Sequence, residues 1–63
     1  INMKLLMSVR EAAEAFGIGR DKLYQMVNND PTLPTIKVGD RIKINTDLFR
    51  EWLNEKTKNK EAI

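Results

Sequence analysis

The chain has 63 residues, 41% of them hydrophobic and 32% charged, with no cysteine and no histidine. That length allows one domain with a small core, and the composition is that of a globular chain; disulfides and the usual structural zinc sites are excluded, so stability must come from packing or a partner. The net charge of +2 lies wholly in residues 20–45, whereas residues 1–19 and 46–63 each balance, a placement that points to an anionic partner.

No apolar run approaches the ~18–20 residues that span a bilayer, and nothing reads as a signal peptide. The expectation is a cytoplasmic protein with no membrane partner. Ile1 is an unusual first residue, which suggests that the true start lies elsewhere or is processed. Lys4-Leu5-Leu6-Met7 is a short apolar run that can form an edge strand. It stops at Ser8-Val9-Arg10-Glu11, which fits a capping box. Val9, Ala12, Ala13 and Phe16 then follow i, i+3, i+4, i+7 spacing, predicting a helix over 9–16 that Gly17 ends in the left-handed conformation.

Gly17-Ile18-Gly19 separates that helix from a second, Arg20 to Asn28, whose apolar face is Leu23, Met26 and Val27. Ile18 is expected beneath the corner. Two short helices joined by a three-residue, glycine-containing turn carry the helix-turn-helix signature. Pro31 and Pro34 make the following segment loop. In IKVGDRIKI, Ile36, Val38, Ile42 and Ile44 occupy even positions and Lys37, Arg41 and Lys43 odd ones, a period-two pattern that predicts a hairpin with one buried face. Keeping that face apolar calls for a three-residue loop of Gly39, Asp40 and Arg41. Val38 then pairs with Ile42 and Ile36 with Ile44, which places Arg41 at the tip and Lys37 opposite Lys43. Asn45 or Thr46 can cap a third helix built on Phe49, Trp52 and Leu53, with Leu48 and the Lys56 stem at its margin; from Asn54 on the chain is polar and the helix is expected to fray. Residues 1–53 are therefore read as the domain and 54–63 as helix end and polar tail.

Without histidine or cysteine, metal-water and Cys/His nucleophilic chemistry lack their usual residues, and no glycine-rich phosphate loop appears. No catalytic residue, metal, cofactor or small-molecule substrate is expected. What remains is a helix-turn-helix followed by a basic hairpin, in which the second helix enters the major groove of double-stranded DNA and the hairpin reaches alongside. At 100° per residue, Asp21, Gln25 and Asn28 lie opposite the apolar face, flanked by Lys22 and Tyr24, with Arg20 in the first turn. Gln25 and Asn28 can pair with adenine, Arg20 can reach guanine or phosphate, and Lys22 and Tyr24 can hold phosphates. Asp21 can accept from a cytosine amine or simply favour the helix N-terminus. Asn28 serves equally as a helix end, and the Tyr24 ring equally packs at the core edge. On the hairpin, Lys37, Gly39, Arg41 and Lys43 form the candidate wing contact. Facing lysines repel unless a phosphate relieves them, although lysine also guards edge strands against aggregation.

The stretches SVREAAEAFGIGRDKLYQMV and LPTIKVGDRIKINTDLFREWL resemble the excisionase-type helix-turn-helix proteins of phages and conjugative transposons. The similarity covers about Met3 to Leu53, and Ile18, Gly19, Lys22 and Leu23 lean toward the conjugative-transposon form. Gly19 departs from the serine or threonine common at that cap. The resemblance implies an α+β winged helix-turn-helix of three helices and a hairpin, with Lys4–Met7 as a third strand. It also implies DNA contact by the residues matching the recognition helix and wing. Such proteins bind and bend DNA near element ends and help a tyrosine integrase excise the element, with the integrase or a neighbouring copy as partner. The same fold serves small prophage regulators, and an interaction module using the charged C-terminal segment is a reading of a different class.

Overall fold

Ser8 is the point at which extended chain becomes helix. In the computed structural model, which describes residues 4–63, β1 (Leu6–Ser8) runs straight into α1 (Val9–Phe16). Ile1 and Met3, where the reading of the start and the family similarity begin, lie outside the described residues. Ser8 Oγ accepts from the Glu11 amide at 3.1 Å and the Ser8 amide donates to Glu11 Oε1 at 3.0 Å, closing the expected capping box. The Lys4 ammonium donates to Glu11 Oε2 at 3.1 Å. The Ser8 amide and Lys4 hold the Glu11 carboxyl at a pKa of about 2, against 4.5 for an ordinary glutamate. α1 ends at Gly17, whose φ of 70° is left-handed, with the Ile18 amide donating to the Ala13 carbonyl at 2.9 Å. This Schellman closure turns Ile18 onto the core.

α2 (Arg20–Asn29) follows after Gly19 and ends at Asp30. The Asp30 carboxylate accepts from the Thr32 hydroxyl at 2.6 Å and the Thr32 amide at 2.9 Å, and the Thr32 hydrogen bonds hold its pKa below the ordinary value. The same hydroxyl accepts from the Trp52 indole N–H at 3.1 Å, so the loop after α2 is tied to the last helix. Leu33 in that loop is buried.

β2 (Thr35–Val38), β3 (Arg41–Asn45) and β1 form an antiparallel sheet in the order β1-β3-β2. The third strand expected from the N-terminal run is therefore present, starting at Leu6 rather than Lys4. Asn45 caps α3 (Thr46–Lys58), its Oδ1 accepting from the Leu48 amide at 3.1 Å. Buried Thr46 donates its amide to the Leu5 carbonyl at 2.7 Å and its hydroxyl to the Lys4 carbonyl at 2.9 Å, fastening the start of α3 to the chain entering β1. The core is Val9, Ala12, Ala13, Leu23, Met26, Leu33, Ile44 and Phe49. Half-buried Phe16 meets the Phe49 ring edge-on at 4.9 Å, and Trp52 stacks on it at 5.8 Å. α3 continues past Leu53 to Lys58. The Lys56 ammonium lies 5.1 Å from the Trp52 ring and pairs with Glu61 at 3.3 Å. Lys60 (φ 55°) closes the helix as the Glu61 amide donates to the Lys56 carbonyl at 3.0 Å.

The hairpin overturns the parity expectation. Val38 pairs with Arg41, Lys37 with Ile42, Ile36 with Lys43 and Thr35 with Ile44. The loop is thus the two residues Gly39-Asp40, with φ positive at Gly39 (62°) and not at Asp40, the signs of a type II′ turn. Arg41 begins β3 instead of capping the tip, and Lys37 lies opposite Ile42, not Lys43. The parity argument presumed a core beneath the whole hairpin. Ile44 is fully buried, but Ile36, Val38 and Ile42 stay 50%, 48% and 44% exposed. Where the sheet outruns so small a core, burial no longer sets the register and the turn does.

Candidate nucleic-acid interface

The face α2 presents is fixed from below. Leu23 and Met26 are buried in the core beside α1, and this rotation leaves Arg20, Asp21, Lys22, Tyr24, Gln25 and Asn28 exposed. All six candidate residues of this helix are therefore open to a partner. Their helix also starts without a side-chain cap: Gly19 (φ −58°) makes no such hydrogen bond, so the first-turn amides of α2 have no side-chain acceptor.

The wing residues separate. Directly opposite residues of an antiparallel pair share a face, so Arg41 and Lys43 lie together with Ser8, which pairs with Lys43 across β1 and β3. Lys37, opposite Ile42, lies on the other face. Gly39 sits at the tip beside Asp40, whose carboxylate is the anionic group at that end of the hairpin. Lys37, Gly39 and Arg41 are exposed and Lys43 half-buried.

α2 and the wing take no part in ion pairing among the described residues. Among the described residues the salt bridges are Lys4–Glu11, Arg50–Asp47 and Lys56–Glu61, all outside residues 20–45. Arg20, Lys22, Lys37, Arg41 and Lys43 form none, although Asp21 and Asp40 adjoin three of them in sequence. Between α2 and the wing lies an open cleft of about 230 Å³ lined by Ser8, Val9, Tyr24, Arg41, Ile42 and Lys43. Of these, Ser8, Val9 and Ile42 were no part of the sequence-based site. Ser8 was legible only as a helix cap, and its pairing with Lys43 depends on a register that could not be read in advance.

Two helices across a three-residue turn, followed by a two-stranded wing, define a winged helix-turn-helix domain. The family comparison agrees: the model described as "Helix-turn-helix domain" matches residues 6–57, more than four-fifths of the chain, and the chain belongs to that family. No curated protein and no solved structure matches it. Membership points to DNA binding. Among the described residues, no group of three His, Cys, Asp or Glu is placed to hold a metal ion, and no helix is long and apolar enough to cross a membrane.

Proposed function

We propose that this chain is a sequence-specific, architectural DNA-binding protein, an excisionase that assists a tyrosine integrase in releasing a mobile element. α2 lies in the major groove. Gln25 and Asn28 face adenine, Arg20 faces guanine or phosphate, Asp21 accepts from a cytosine amine, and Lys22 and Tyr24 rest on phosphates. The wing follows the neighbouring backbone through Arg41 and Lys43, with Gly39 allowing close approach and Lys37 engaging from the hairpin's other face. The observation that carries DNA binding is that residues 20–45, with α2 and the hairpin, hold the chain's whole net charge and that none of their five cations, Arg20, Lys22, Lys37, Arg41 and Lys43, forms a salt bridge among the described residues, beside the family match. The excisionase role rests on the sequence resemblance.

A mobility shift at low salt on element-end and random duplexes tests the first part. Binding to both is expected, tighter to the element end. Arg41→Ala with Lys43→Ala should weaken both complexes and lower the log–log salt slope by about 2, since each phosphate left without its cation removes about one unit. Absence of any shift would remove the proposal. Reconstituted excision with the element's integrase tests the second part: stimulation by this chain supports it. Repression of a nearby promoter with no effect on excision would make the chain a regulator instead.

A further inference from the structure

The cleft between α2 and the wing has a lining matched to one kind of ligand. Arg41 and Lys43 bring two cations without an ion-pair partner, and no carboxylate lines it. Tyr24 brings a phenol that is half-exposed. Ser8 Oγ accepts from the Glu11 amide, which leaves its hydroxyl proton to donate elsewhere. Val9 adds apolar surface to the cleft, and Ile42, which belongs to the hairpin's other face, borders it. Charged and neutral donors set among apolar groups suit a singly charged phosphodiester, whose two acceptor oxygens sit between two sugars. They suit less well the free phosphate dianion, which is hydrated on every side.

We propose that this cleft seats one backbone phosphodiester of DNA, held jointly by Tyr24, Lys43 and Arg41, with Ser8 donating from the β1–α1 junction. The proposal rests on the DNA-binding reading and adds a site to it. When α2 lies in the major groove and the wing reaches alongside, the strand between the two must cross the gap separating them. The cleft is that gap. Phosphate contacts of this kind fix register and orientation instead of reading sequence, so the site positions α2 for its base contacts.

The discriminating property is that Tyr24 and Lys43 serve the same phosphate. A double-mutant cycle on a fluorescent mixed-sequence duplex at low salt measures this with the full chain, using Tyr24→Phe, Lys43→Gln and the double variant. Tyr24→Phe keeps the ring and is expected to weaken binding roughly tenfold, the size of one hydrogen bond to a charged group. In the Lys43→Gln background the same change should cost less than about twofold. Lys43→Gln alone should reduce the salt slope by about 1. Equal losses from Tyr24→Phe in both backgrounds, or none in either, would overturn the shared site while leaving DNA binding intact. A wild-type chain that binds no duplex would instead remove the underlying reading. Titration with inorganic phosphate, followed by NMR of Tyr24 and Ser8, separates the two sources of the anion. No saturable shift is expected below ~10 mM; saturation near ~1 mM or tighter would assign the cleft to a free phosphate and overturn the DNA site.

Discussion

α1 and α2 are neighbours of similar length that the sequence finishes in opposite ways. α1 is closed at both ends, by the Ser8–Glu11 capping box and by left-handed Gly17. α2 opens on Gly19 with no side-chain cap and carries Arg20, Asp21 and Lys22 without a salt bridge among the described residues, whereas α1 ties its capping Glu11 to Lys4 and leaves Arg10 and Glu14 without one. The first helix is finished as scaffold. The second holds to the core through Leu23 and Met26 and keeps its remaining groups available. On the proposal that α2 reads DNA, those available groups are its means of contact.

Substitutions can break or sharpen that contrast. The largest effect is expected at Phe49, fully buried between the rings of Phe16 and Trp52. Phe49→Ala should cost about 3–5 kcal/mol, enough to abolish the cooperative melt of so small a domain by circular dichroism. Ser8→Ala removes the α1 cap and should cost about 1 kcal/mol, lowering the melting temperature by roughly 4–8 °C. Gly19→Ser tests the other helix. Its φ is ordinary and a Cβ would meet only Lys22 Cβ, at 3.9 Å. It should therefore raise stability by a few tenths of a kcal/mol, seen as a melt about 1–3 °C higher; a loss there would mean that α2 is not undercapped.

The smallest effect concerns pH. The Glu11 carboxyl titrates near 2 in the folded chain against an ordinary 4.5, so the unfolded chain takes up this proton first as pH falls. Its contribution is fully present above about pH 4.5 and fades as pH drops toward 2. Glu11→Gln should flatten the melting temperature against pH across that window and leave the slope above pH 5 unchanged. A slope unaltered between pH 2 and 4.5 would contradict the capping role.

α1 was legible to the residue because its boundaries are chemical: a hydroxyl three residues before a glutamate, and a glycine where only left-handed backbone closes the helix. The exposed face of α2 was legible because three apolar residues fix its rotation. The hairpin register was not, since alternation reports burial only where a core lies beneath, and Ile36, Val38 and Ile42 project beyond it. The extent of α3 was hidden for a related reason. Its last turns are polar in sequence, yet the Lys56 ammonium lies over the Trp52 ring and Lys60 supplies the terminating left-handed residue, neither of which hydropathy records. The wing residues were named from their types, but their division between two faces, and the meeting of Arg41 and Lys43 with Ser8, followed from pairing alone.

The central claim is that α2 and the wing, rather than α3, form the DNA face. Amide chemical-shift mapping of the ¹⁵N-labelled chain with a mixed-sequence duplex at low salt tests it most directly. The account predicts shifts concentrated in Gly19–Asn29 and Lys37–Lys43, with Ser8 and Val9 joining them, while Glu51–Lys58 stays still. Shifts centred on α3, or none at saturating duplex, would contradict it.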